Sequence, residues 1–94
     1  MKATTHFNTD KAERYLETLC KHFGHKVPVT HKRNEGHIAL PFGACDLIAS
    51  ENGLTLSAAA DDRANLERTV EVMTSHLERF AFREAPELSW NYPA

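Results

Sequence analysis

Residues 26–60, KVPVTHKRNEGHIALPFGACDLIASENGLTLSAAA, carry the reading on which the fold rests. Apolar and polar side chains alternate here through four short runs, which is the period of a strand with one face buried. The first run, Lys26 to Lys32, sets Val27, Val29 and His31 on one face, and Arg33-Asn34-Glu35-Gly36 turns the chain. The second, His37 to Leu40, faces Ile38 and Leu40 inward and ends at Pro41-Phe42-Gly43. The third, Ala44 to Ser50, puts Cys45, Leu47 and Ala49 on one side. Glu51-Asn52-Gly53 follows, and an Asn-Gly pair is a strong hairpin signal. The fourth, Leu54 to Ala60, points Leu56 and Ala58 inward. Short alternating runs split by Gly-bearing turns predict an antiparallel meander. Pro28 has no N–H for a ladder, so its strand belongs at an edge.

A helix is predicted on either side of the meander. Before it, residues 2–8 (KATTHFN) alternate as a first strand, and Thr9-Asp10 then opens a helix. Asp10 and Glu13 have the spacing of a capping box. Ala12, Tyr15, Leu16, Leu19, Cys20 and Phe23 form one apolar stripe at helical period, and Gly24 is placed as the C-cap. After the meander, Asp61-Asp62 caps a second helix whose stripe is Leu66, Val70, Met73, Leu77 and Phe80. Pro86 stops it, and the alternation of Leu88, Trp90 and Tyr92 predicts a closing strand over residues 87–92.

The order β-α-β-β-β-β-α-β predicts an α+β two-layer sandwich. One antiparallel sheet with both helices on one face satisfies every apolar stripe at once. Its β-α-β4-α part resembles the TATA-binding-protein fold, and a resemblance of element order says nothing about DNA binding. Ninety-four residues make a single domain over 1–94.

Composition removes several functions. A net charge of −2, with eleven Lys and Arg scattered along the chain, argues against nucleic acid and anionic membrane as partners. No apolar run reaches the ~20 residues of a membrane span, and Met1-Lys2 leads into polar sequence rather than a signal-peptide core. A cytoplasmic chain is expected, with Cys20 and Cys45 as two free buried thiols.

Six histidines are many for this length, and three of them frame the candidate sites. Cys20, His22 and His25 cluster where the first helix ends, and thiolate with neutral imidazole is a zinc or iron donor set. Their spacing matches no zinc motif, and Cys20 belongs to the apolar stripe while His22 points elsewhere. No cofactor is therefore predicted, with Zn or Fe on these residues as the alternative. The second set is His76, Arg79 and Arg83, where a polar imidazole and two guanidinium groups suit an anionic ligand such as a carboxylate. Catalysis has no support: there is no nucleophile elbow, phosphate loop or dinucleotide fingerprint, and Cys45 sits in a strand where nothing activates it.

The outward face of the meander is the third place for a partner. It carries Thr30, Lys32, His37, Ala39, Ala44, Asp46, Ile48, Thr55 and Ser57, small and hydroxyl side chains around one Ile. A two-layer domain leaves this sheet face uncovered, so a homodimer or a ligand belongs there.

Several segments also resemble a small bacterial family catalogued as domain of unknown function 2218. They are Asp10-Lys11-Ala12-Glu13-Arg14-Tyr15, Leu19-Cys20-Lys21-His22-Phe23, Pro41-Phe42-Gly43-Ala44-Cys45, and His76-Leu77-Glu78-Arg79-Phe80-Ala81-Phe82-Arg83-Glu84 with Trp90. The resemblance implies a setting in iron-siderophore uptake and supplies no catalytic residues. The expected function is a non-enzymatic cytoplasmic module binding a small ligand or a protein. A metal- or siderophore-handling accessory enzyme and a structural dimerisation subunit are the alternatives.

Overall fold

The computed structural model describes residues 1–92. Strand β1 (Lys2–Asn8) leads into helix α1 (Ala12–Gly24). The meander follows as β2 (Val29–Lys32), β3 (Glu35–Leu40), β4 (Gly43–Ser50) and β5 (Gly53–Ala59), and then comes helix α2 (Arg63–Phe80). The five strands form one antiparallel sheet in the order β1-β5-β4-β3-β2. Each meander strand thus lies beside its neighbour in sequence, and β1 adds to β5 from outside. Pro28 precedes the edge strand β2, where a missing N–H costs no ladder bond.

The register puts the buried apolar positions of the sheet on one side. One inward row runs Ala3, Ala58, Cys45, Ile38 and Val29 across the strands. Leu47 and Leu56 pair in the next row, Ala49 and Leu54 beyond it. Both helices cover this side: Leu16, Leu19 and Cys20 from α1 share a core with Met73 and Leu77 from α2. A smaller cluster of Ala3, Ala58, Leu66 and Val70 fills the other end, and half-buried Trp90 packs against both.

Two close approaches fix how the helices sit. At Gly36 a Cβ would stand 2.6 Å from the Cys20 sulfur, so the absent side chain lets α1 lie directly on β3. At Gly53, φ is +145° and a Cβ would crowd the Asn8 backbone, so the β4–β5 turn needs glycine.

Helix ends differ in detail from the sequence expectation. Lys11, not Asp10, is the N-cap of α1, and no side chain caps it. The Thr9 hydroxyl accepts the Lys11 N–H at 3.1 Å instead. Gly24 stays inside the helix, and His25 follows as a C-cap in right-handed conformation, so no left-handed glycine is used. The second helix matches its reading: the Asp62 carboxylate accepts the Asn65 N–H at 2.8 Å.

Beyond α2 a 3-10 turn (Phe82–Glu84) leads to Ala85 at φ 47°, which sends the chain back toward β1. The closing segment is extended, with Leu88, Trp90 and Tyr92 half-buried between exposed neighbours. It joins the sheet through a single bridge, Thr4 to Asn91. Two contacts hold it off a longer ladder: the Thr5 hydroxyl donates to the Ser89 carbonyl at 2.9 Å, and the Trp90 indole donates to Thr74 at 2.8 Å. A three-way clamp ties the 3-10 turn to α1, where the Tyr15 hydroxyl and the Thr9 hydroxyl both donate to the Glu84 carboxylate.

Candidate functional site

The metal and anion candidates Cys20, His22, His25, His76 and Arg79 fall on the helix layer, opposite the open sheet face. Cys20 turns into the core beneath β3 and is 3% exposed. Burial raises its pKa, which keeps the thiol protonated and inert. Cys45 is wholly buried, and burial foremost pushes it up to about 12. Neither cysteine joins a histidine. Among the described residues no group of three or more His, Cys, Asp or Glu is placed to hold a metal ion.

His22 and His76, from different candidate sets, do meet. They lie 54 residues apart in sequence on separate helices, yet their ring centroids are 4.9 Å apart. Phe23 stands 4.7 Å from the His76 ring, and Phe80 stands 5.5 Å from the His22 ring. Both histidines are half-buried in this seam between the helix ends. Burial lowers the His22 pKa, and His76, Lys26, Arg79 and His25 add positive repulsion. The His76 Nδ1 lies 2.7 Å from the Val72 carbonyl and must donate to it, since a carbonyl oxygen only accepts. His25 and Arg79 are exposed at the rim. Arg83 lies past the end of α2, in the 3-10 turn, with its guanidinium 5.8 Å from the Phe82 ring.

The outward sheet face gathers polar groups from every strand. The row Thr4, Ser57, Asp46, His37 and Thr30 crosses all five strands side by side. Within it His37 Nδ1 and Asp46 Oδ1 are 2.6 Å apart. The parallel row runs His6, Thr55, Ile48, Glu35 and Lys32. Here the His6 ring bonds the Thr55 hydroxyl at 2.8 Å, and Ile48 on the central strand is 49% exposed. The first row, with Ile48, Glu35 and Lys32 of the second, lines a shallow cavity of about 570 Å³ that also includes Lys2; His6 and Thr55 lie outside it. It is open to solvent and is lined mainly by polar side chains around Ile48. A cleft of equal volume near Asp10, Arg14 and Glu51 is lined mainly by surface charges, with only Ala12 and Ala49 as apolar residues.

Most of the outward face is legible from strand period; Lys2, Thr4 and His6 on β1, and Glu35, read as part of a turn, are not. The signal for the β1 residues was the alternation of residues 2–8, and what was lacking was the pairing of β1 with β5. No described helix is long and apolar enough to cross a membrane.

Comparison with known proteins gives two findings. The sequence model of a family described as "uncharacterized protein conserved in bacteria", DUF2218, matches residues 4–91. The NMR structure of PA4090 from Pseudomonas aeruginosa superposes with a TM-score of 0.81 at 32% identity, covering 96% of this chain and 94% of that one. No curated protein matches the chain.

Proposed function

Since the chain belongs to the DUF2218 family, which fixes its fold and leaves its chemistry to be read from its surface, we propose a non-enzymatic binding module. Its site is the open face of the sheet, and its ligand is a small molecule. The observation that carries this is the 570 Å³ cavity on the sheet face, lined by Ile48 together with hydroxyl, imidazole and carboxylate groups. Lys2 and Lys32 are balanced there by Glu35 and Asp46. That balance favours a ligand of little net charge, held by hydrogen bonds to Thr4, Thr30 and Ser57 and by apolar contact with Ile48. A cytoplasmic role in iron-siderophore uptake is the setting we propose, and it rests on the family resemblance alone.

A homodimer closing over the same face is the second reading. Half-exposed Ile48, in the middle of the sheet, favours it. Amide NMR of the protein against a library of small polar aromatic and sugar-like molecules tests the first reading. Shifts gathered at Thr4, Thr30, His37, Asp46, Ile48 and Ser57, and lost in Ile48→Lys, support it. Hits confined to the helix layer, or none at all, refute it. Sedimentation of the same two samples decides the second, since Ile48→Lys would bury an unpaired charge and leave only monomer.

A further inference from the structure

We infer that His22 and His76 form a two-imidazole site for a divalent transition-metal ion of the zinc, nickel and copper class, cross-linking the ends of α1 and α2. It lies on the helix layer and is independent of the sheet-face reading.

Distance is the first ground. A metal–nitrogen bond of about 2.05 Å puts each ring centroid roughly 3.2 Å from the ion. Two imidazoles at an angle near 100° then have centroids about 4.9 Å apart. The observed separation is 4.9 Å with the planes inclined by 50°. The centroid spacing is thus compatible with a shared ion, and it is equally that of an ordinary aromatic pair, so the titration below decides between them.

Protonation pattern is the second. The His76 Nδ1–H is committed to the Val72 carbonyl, so Nε2 keeps its lone pair. A ring N–H anchored on a backbone carbonyl is the outer-shell arrangement of most metal-bound histidines, because it fixes the tautomer and the ring plane. The His22 ring makes no hydrogen bond among the described residues, so either of its nitrogens is available. Phe23 and Phe80 restrict both rings from the sides.

The third ground is the field of the helices. Their C-terminal ends, at Gly24 and Phe80, each carry the equivalent of about half a negative charge. His22 and His76 both lie within the last five residues of their helices. That field favours a cation. Lys26, Arg79 and His25 stand around His22 and oppose it. Two protein ligands leave the remaining coordination positions of the ion to water or to an exchangeable anion, which those same cations would attract.

Isothermal titration of the full chain with Zn²⁺, Ni²⁺ and Cu²⁺ tests the site, with Mg²⁺ as the control. One equivalent should bind, copper most tightly, and magnesium not at all. His22→Ala and His76→Ala should each weaken Zn²⁺ binding by about tenfold or more. The double variant should also lose the weak monodentate binding that either single retains. Arg79→Ala should strengthen binding, a change that a loose surface histidine would not show. His37→Ala, on the opposite face, should leave it unaltered. Circular dichroism of each variant confirms that the fold persists. Unchanged Zn²⁺ affinity in folded His76→Ala, or no binding by the parent chain, overturns the inference.

Discussion

Gly36→Ala puts a number on the closeness of α1 to the sheet. The new methyl carbon would stand 2.6 Å from the Cys20 sulfur, with Leu16 and Leu47 methyl groups at 3.7 and 3.8 Å behind it. Ordinary contact begins near 3.5 Å, so about 1 Å must be found in a place where Cys20 and Leu16 are almost fully buried. Overpacking of this kind costs about 1–3 kcal/mol. Replacing glycine restricts the unfolded chain and returns roughly 0.4–1 kcal/mol. The net loss is about 1–2 kcal/mol, or a fall in Tm of roughly 4–15 °C for a chain of this size. Cys20→Ala alone removes a buried sulfur and costs about 1 kcal/mol. In the double variant the methyl group added at position 36 fills the space that the sulfur leaves. The two losses should then fall short of their sum by about 1 kcal/mol or more. Urea unfolding followed by Trp90 fluorescence and circular dichroism measures all four corners. Strict additivity would refute the reasoning, because it would mean that the helix yields and the contact is not shared.

Two further outcomes follow from the buried thiols and the Glu84 clamp. Cys45 is inaccessible and its pKa is pushed up to about 12, so alkylation at pH 8 should proceed only through unfolding, and its rate should rise with urea. Tyr15→Phe should cost about 1 kcal/mol at pH 7, since the half-buried carboxylate loses a hydroxyl donor. The Tyr15 bond foremost holds the Glu84 pKa below its ordinary 4.5, so its contribution is present above that value and is lost as pH falls through the folded-state pKa. Urea midpoints at pH 7 and pH 3 should therefore differ less in Tyr15→Phe than in the parent chain.

Most of the architecture could be read along the chain because alternation and helical stripes are local properties. Ile38, Cys45, Leu47, Leu56 and Ala58 fall on the expected face, but Glu35, Gly36, Gly43 and Gly53, read as turn residues, join strands, and β2 begins at Val29 instead of Lys26. The departures occur where a neighbour in space competes. The Thr9 hydroxyl reached the Lys11 N–H, and the helix that Asp10 was expected to open starts later. Leu88, Trp90 and Tyr92 do alternate, but Thr5 and Thr74 engage the segment before a ladder can extend beyond Thr4. His22 and His76 were each visible as candidates. Their meeting was not, because it depends on how two helices lie across one sheet, and no local pattern encodes that.

The bridge between Thr4 and Asn91 also bears on how copies of this chain can associate. Its two backbone hydrogen bonds occupy the middle of the β1 edge, so an incoming strand cannot pair there without displacing the chain's own tail. Among the described residues the opposite edge, four-residue β2, has no such cover. The two edges are therefore unequal: at Thr4 an incoming strand would have to displace Asn91, whereas at β2 it would meet no such competitor among the described residues.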